Sequence, residues 1–295
     1  KISDRITVFR DGKYIDTLVT KDSQISKIIS LMIGREVAQD LRPETARKYS
    51  DKDIALEVKG LSTKNLLKDI SFQLHKGEIL GFAGLMGAGR TELALAIVGK
   101  DQITEGEVIV DGKKVRINNP SDAVNHGIGY LSEDRKRFGV LLNQYVNFNI
   151  VLSNLRKITS NFGFVNNSQS RVSSNTAVKN LSIRTPSIDQ MVKNLSGGNQ
   201  QKVVISKWLT RDCDILIFDE PTRGIDVGAK DEIYKLLTKL ASEGKSIIMI
   251  SSELPGILRM SDRIAVMCEG KLTGIIDNKD ADQNKIMQYA TKFRD

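Results

Sequence analysis

The apolar run Ile79-Leu80-Gly81-Phe82-Ala83 leads directly into Gly84-Leu85-Met86-Gly87-Ala88-Gly89-Arg90-Thr91 and then into the helix-forming Glu92-Leu93-Ala94-Leu95-Ala96-Ile97-Val98. Strand, glycine loop and helix in that order form the frame of a phosphate-binding loop. The segment fits G-x-x-x-x-G-K-[ST] at every fixed position except the lysine, which here is Arg90. Backbone N–H groups exposed by such a loop, aimed by the positive end of the helix that follows, attract anions.

Two further segments carry related chemistry. Leu195-Ser196-Gly197-Gly198-Asn199-Gln200-Gln201-Lys202 is a Ser-Gly-Gly turn opening a polar helix. Alone it reads as a solvated helix cap, but adjacent glycines also let N–H groups close on phosphate oxygens. Ile215-Leu216-Ile217-Phe218 ends in Asp219-Glu220, which places two carboxylates at the carboxyl end of a buried parallel strand. Ligands of open α/β sheets bind at that end.

In this order the three segments resemble the ATP-binding cassette family. The phosphate loop resembles its Walker A, Leu195 to Gln200 its signature, Ile215 to Glu220 its Walker B, and Gly224-Ile225-Asp226 its D-loop. The longer stretches Gly127 to Lys136, Leu195 to Lys202 and Asp219 to Lys230 are similar to the second nucleotide-binding half of bacterial ribose, galactose and xylose importers. The resemblance implies a P-loop NTPase of α/β class with a RecA-like core, an antiparallel β-subdomain and a helical subdomain at about 134–209. It also implies partners: a first cassette of the same subunit, a transmembrane sugar permease dimer and, indirectly, an extracytoplasmic sugar-binding protein. The expected location is the cytoplasmic face of the bacterial membrane, held there peripherally.

Composition agrees with that placement. The 295 residues are 40% hydrophobic and 27% charged, which are ordinary globular values. No apolar run approaches the ~18 residues of a membrane span. The net charge of +8 is spread among 36 acidic residues without an aromatic-basic stripe, so no nucleic-acid partner is expected. Cys213 and Cys268 lack metal spacing and read as reduced, partly buried thiols.

Ser3-Asp4-Arg5-Ile6-Thr7-Val8 recurs as Ser261-Asp262-Arg263-Ile264-Ala265-Val266, and the offset of 258 persists to Lys27-Ile28 against Lys285-Ile286. Each copy reads as two strands about a turn and a closing helix. Only one phosphate loop is present, so residues 1–39 are expected to end a preceding cassette, 40–53 to be a polar linker, and 54–295 to form the second cassette. Strands are expected at Ile54 to Val58, Ile70 to Leu74, Glu107 to Val110, Lys114 to Ile117, Asp214 to Phe218, Ser246 to Ile250 and Arg263 to Met267, and helices at Ala229 to Ser242 and Glu253 to Met260.

The resemblance assigns roles by position. Gly84, Gly87, Ala88, Gly89, Arg90 and Thr91 would surround the phosphates of ATP, Thr91 and Asp219 would hold Mg²⁺, and Glu220 would polarise the attacking water. Ser196, Gly197, Gly198, Gln200 and Asp226 would act on nucleotide across the interface between two cassettes. Arg90 for lysine, Glu133 at the glutamine-loop position, Ser252 at the switch-histidine position and a missing adenine-stacking aromatic in Leu61 to Asp69 make this chain's own half look degenerate. Two other readings remain at this point: a regulatory module that binds nucleotide without hydrolysis, and a soluble cassette protein of DNA repair or translation.

Overall fold

The computed structural model describes residues 3–10, 13–23, 31, 49–50, 53–160 and 163–293. Its centre is a six-stranded sheet in the order β12-β11-β5-β10-β9-β8. The strands are β5 (Ile79–Gly84), β8 (Ile128–Leu131), β9 (Ile215–Asp219), β10 (Ser246–Ile250), β11 (Arg263–Cys268) and β12 (Lys271–Asp277). All neighbours are parallel except β12, an antiparallel edge strand. Every residue of β9 and β10 is buried, as continuous apolar runs require when helices or a second sheet cover both faces.

Alternate residues of these strands feed two different cores. Ile79, Leu216, Phe218, Ile247 and Met249 pack with the helices α6 (Gly197–Thr210), α7 (Val227–Ser242), α8 (Leu254–Met260) and α9 (Gln283–Ala290). Leu80, Phe82, Ile215, Ile217 and Ile248 pack instead with α1 (Arg90–Ile97) and a four-stranded antiparallel sheet. That sheet runs β4-β3-β6-β7, with β3 at Ile54–Thr63, β4 at Ile70–His75, β6 at Ile103–Val110 and β7 at Lys113–Val115. Strands β3 and β6 are longer than their apolar patterns predict. A register shift between Val58 and Leu61 lets β3 continue past Gly60, whose N–H is taken by the Ser71 hydroxyl at 2.8 Å. The fourth strand stops at Val115, short of the expected Ile117.

Between the six-stranded sheet's first and second halves lies a helical region. After α2 (Pro120–Asn125) come α3 (Val146–Val151), α4 (Leu155–Ile158) and α5 (Asn167–Asn180), packed with α6. The sequence of α5 is rich in Asn and Ser, and its burial depends on hydrogen bonds rather than on an apolar stripe. Ser170 and Ser174 are both buried, and both hydroxyls donate to Asn147 Oδ1 at 2.8 Å.

The repeat seen in the sequence recurs in the backbone. A hairpin of β1 (Arg5–Arg10) and β2 (Lys13–Val19), followed by a 3₁₀ turn at Thr20–Asp22, matches β11, β12 and the turn at Asn278–Asp280 at the offset of 258. Register irregularities fall at Val8/Phe9 and at Val266/Met267, again 258 apart. The closing helix expected for this copy, where Lys27-Ile28 matches Lys285-Ile286, falls outside the described residues. So does most of the expected linker, although Tyr49 is described and stacks on His75 with ring centroids 4.9 Å apart.

One buried ion pair ties the two sheets together. Glu78 is 0% exposed, and its carboxylate accepts from Arg263 Nε at 2.7 Å, from Arg263 Nη2 at 3.0 Å and from the His75 backbone N–H at 2.7 Å. Removing one partner of such a pair strands the other charge in a low-dielectric interior. Arg263→Met is therefore expected to lower unfolding free energy by about 3–5 kcal/mol, measured by urea denaturation. A loss below about 1 kcal/mol, the surface ion-pair range, would contradict this account.

Candidate functional site

Strands β5, β9 and β10 end at one edge of the central sheet, and the chain leaves each of them through a polar turn. After β5 the loop runs from Gly84 to Gly89 into α1. Gly84 admits no side chain, since a Cβ there would lie 2.5 Å from the Met267 carbonyl. Gly89 takes φ 101° as the residue before α1, a left-handed conformation that lets the loop turn straight into the helix. Among the described residues, the N–H groups of Gly87, Gly89, Arg90 and Thr91 find no backbone acceptor, as expected at a helix start built to meet an anion.

Asp219 ends β9 and is 1% exposed. Burial pushes its pKa up, and the neighbouring Glu220 charge adds to that. The Thr91 and Tyr130 hydroxyls and the Arg90 guanidinium oppose it. Tyr130, on β8, donates to Oδ2 at 3.0 Å, while Oδ1 is buried with no partner of hydrogen-bond geometry. An orphaned carboxylate oxygen beside a threonine hydroxyl suits a divalent cation with oxygen ligands, so the residues present fit Mg²⁺.

Glu220 follows in a left-handed conformation, φ 48°, which turns its carboxylate toward the loop after β10. There Oε1 accepts the Ser252 N–H at 2.6 Å and Oε2 accepts the Ser251 hydroxyl at 3.2 Å. Arg90 reaches the same loop: its Nη1 donates to the Ser251 carbonyl at 2.6 Å. Burial lowers the Arg90 pKa, and Glu220 and Asp219 work in the opposite direction. The guanidinium thus braces α1 against the β10 exit instead of standing free over the glycine loop.

Several expected roles change with this geometry. Ser252 meets Glu220 through its backbone N–H, so its contribution does not depend on a side chain in the switch position. Glu133 forms an ion pair with Arg223, and its charge is thereby directed to the loop after β9 rather than to the phosphates. Gln200 is 6% exposed, and its amide donates to the carbonyls of Val192 at 3.3 Å and Leu195 at 3.0 Å. It shapes the Ser-Gly-Gly turn from inside. Asp226 caps α7, accepting the Ala229 N–H at 2.9 Å.

The Ser-Gly-Gly turn sits on a separate element, at the start of α6. Ser196 does not cap its own helix, and its hydroxyl accepts instead from Asn199 Nδ2 at 2.9 Å. Gly198 packs where a Cβ would lie 2.8 Å from Ala229 Cβ, and Gly197 packs against Arg135. The structure thus joins Gly84, Gly87, Ala88, Gly89, Arg90, Thr91, Asp219, Glu220 and the Ser251–Ser252 loop at one edge. It places Ser196, Gly197 and Gly198 beside Gly224–Ala229. Tyr130, Ser251 and Arg135 were missed in the sequence. Tyr130 had a usable signal, its place in the apolar strand Ile128–Leu131, which pairs in register with β9.

The buried carboxylate has a measurable consequence. Because the folded-state pKa of Asp219 is raised, the ionised form costs stability at neutral pH. That cost disappears as pH falls through the raised pKa toward the ordinary carboxylate value. Asp219→Asn is therefore expected to raise the metal-free melting temperature at pH 7, with the gain shrinking on acidification, and to abolish the Mg²⁺-dependent part of nucleotide binding. Thermal melts between pH 4 and pH 8 test it; a variant less stable than its parent at pH 7 would sink this reading.

Residues 67–223 match the family model described as ABC transporter. The chain is 56% identical over 292 residues to the provisionally named ribose/galactose/methyl galactoside import ATP-binding protein 1 of Burkholderia lata, covering 99% of this chain and 57% of that protein. It is 46% identical over 291 residues to the ribose import ATP-binding protein RbsA of Lacticaseibacillus paracasei, again covering 99% of this chain and 57% of the relative. The chain therefore spans a little over half the length of these relatives. Among solved structures, an ATP-binding cassette of an ABC transporter in its ADP conformation superimposes with a TM-score of 0.66 at 18% identity, covering 82% of this chain and 96% of the other. A dimeric cassette bound to ADP and Pi gives 0.65 at 21% identity, covering 76% and 98%. With a P-loop, a Walker B carboxylate and a family match over more than half its length, the chain belongs to the ATP-binding cassette (ABC transporter) family.

Proposed function

We propose that this chain is the second cassette of the ATPase subunit of a bacterial monosaccharide importer, contributing one half to each of two composite ATP sites. The observation that carries this reading is the division of the site. A phosphate loop, Asp219 and Glu220 gather at one sheet edge, while the Ser-Gly-Gly turn opens a different helix and packs beside Arg135, Gly224 and Ala229. Such a turn is useful to a nucleotide held by another cassette. The sugar-import names of relatives 46% and 56% identical support the transport role.

The hairpin repeat supports a preceding cassette. β11 is flanked by β12 and, in parallel, by β5, whereas β1 pairs with β2 alone among the described residues. A strand equivalent to β5, supplied by a first cassette, would complete β1 as β5 completes β11. A membrane permease would find a surface at residues 138–148, where Phe138, Leu141, Tyr145 and Phe148 are exposed. That segment is held firm from within, because Asn149 donates to the Leu141 and Tyr145 carbonyls at 3.1 Å and accepts the Leu141 N–H at 2.7 Å. No described helix is long and apolar enough to cross a membrane, so attachment at the cytoplasmic face would run through this surface.

In this chain's own half, N–H groups of Gly87 to Thr91 would hold the β-phosphate. Thr91 and Asp219 would hold Mg²⁺, which when bound offsets phosphate charge. Glu220 would orient water after giving up its bonds to Ser251 and Ser252. Arg90, engaged with Ser251, is a poor substitute for a lysine at the phosphates, so this half binds weakly and turns over slowly, and the partner half hydrolyses. A purely regulatory role would share this geometry, and the Arg90–Ser251–Glu220 arrangement favours it over no nucleotide role at all.

The test uses the full-length subunit assembled with its permease. Ser196→Arg should cut ATP turnover on the order of 10²-fold, because it blocks the turn that stabilises phosphate charge. Glu220→Gln should cost less than about threefold, since it touches only the slower site. Equal losses from the two substitutions would mean equivalent sites and would remove the asymmetric mechanism.

A further inference from the structure

The segment after β8 grips the loop after β9 at two points. Glu133 pairs with Arg223, and two residues on the Arg135 fork takes two carbonyls in succession, Arg223 at 2.8 Å through Nη1 and Gly224 at 3.2 Å through Nη2. The same guanidinium closes one side of the Ser-Gly-Gly turn. A Cβ on Gly197 would stand 2.7 Å from Arg135 Nη2 and 3.3 Å from the Gly224 carbonyl. One planar group in its own turn therefore touches two further segments of the chain, the signature turn and the loop Arg223–Asp226.

The far end of the Arg135 turn is fixed to the signature helix as well. Arg135–Gly139 forms a π-helical turn, begun by Asp134, whose side chain accepts the Arg137 N–H at 3.1 Å. Its last residue, Gly139, accepts from Lys207 Nζ of α6 at 2.9 Å and lies where a Cβ would meet Val204 of the same helix at 3.1 Å. The exposed apolar segment 138–148 begins inside this turn. Gly139 thus joins this segment to α6, and Arg135 joins it to the Arg223 and Gly224 carbonyls.

We propose that Arg135, seconded by Glu133, is a positioning residue that holds the signature turn Ser196–Gly198 and the loop Arg223–Asp226 as one body, so that turnover at the ATP site completed by this signature depends on it. The inference rests on the composite-site reading above. It also gives Glu133 a purpose: an acid pairs with Arg223 where a neutral glutamine would hold it more weakly. A lysine could not replace Arg135, because one ammonium cannot donate to two carbonyls in the fixed plane of a fork.

Arg135→Ala and Arg135→Lys in the full-length subunit, assembled with its permease, test this. Turnover, KM for ATP and melting temperature are read for each. The expected result for Arg135→Ala is a fall in kcat of at least about tenfold with KM within about twofold, the pattern of a group that orders the reacting arrangement rather than binds substrate. Melting temperature should stay within about 3 °C, the size of shift a minor loss of stability produces in a domain this large. Arg135→Lys, which keeps the charge and loses the fork, should fall between parent and Ala. Unchanged kcat in the Ala variant overturns the proposal. So does a kcat loss in both variants that follows a large drop in melting temperature, which would mark a merely structural residue. If the unmodified assembly shows no ATP turnover, the composite-site reading fails instead, and the two failures are distinct.

Discussion

Asp219 carries a carboxylate at the end of a strand whose every residue is buried, and an ion in that position must be compensated locally. Much of the site follows from how this is done. Tyr130 comes from the adjacent strand β8 because β8 and β9 are parallel and in register, Tyr130 against Ile217, so its hydroxyl projects just far enough to reach Oδ2. Thr91 comes from the first turn of α1, which the glycine loop delivers over the same edge. One oxygen is left unpartnered. The protein supplies two hydroxyls and a nearby guanidinium but not a full set of donors, and the remaining demand is one that an external cation meets.

Arg90 bears on the same electrostatic problem from farther away. A lysine at that position would present a compact charge to bound phosphates. The longer Arg side chain crosses to the Ser251 carbonyl, and the loop it fixes is the one that holds both oxygens of Glu220. Arg90 couples the start of α1 to the exit of β10, and the loop it braces keeps Glu220 hydrogen-bonded. Releasing Glu220 for chemistry would mean breaking a hydrogen bond to a backbone N–H.

The elements that sequence made legible are those whose pattern depends on the chain alone. β9, β10 and β11 were evident as short apolar runs, α7 and α8 as helices between them, and the hairpin repeat as identical residues at one offset. Gly84 to Thr91, Asp219 and Glu220 were legible because one strand–turn–helix unit and one strand end carry them. The length of β3 was not, because it depends on a bulge matched to Ser71 across the sheet. Glu133 was placed at the glutamine-loop position by the family resemblance, while its partner within the chain, Arg223, lies ninety residues on and is visible only once β8 and β9 are neighbours. The burial of Gln200 against the Val192 and Leu195 carbonyls likewise cannot be seen in a string.

The two half-sites are built on different physical grounds, and this bears on what each can tolerate. The phosphate loop is specified by backbone conformation together with packing: Gly87 and Gly89 take φ 78° and 101°, and a Cβ on Gly84 would strike the Met267 carbonyl. The signature turn is specified by close packing. Neither Gly197 nor Gly198 has a positive φ, yet a Cβ on the first would strike Arg135 and on the second Ala229. A turn governed by contacts with α7 and with the Arg135 segment cannot change alone, because its geometry is shared among three parts of the chain. The Ser-Gly-Gly turn is thus held by the architecture around it, whereas the phosphate loop depends more on its own backbone conformation.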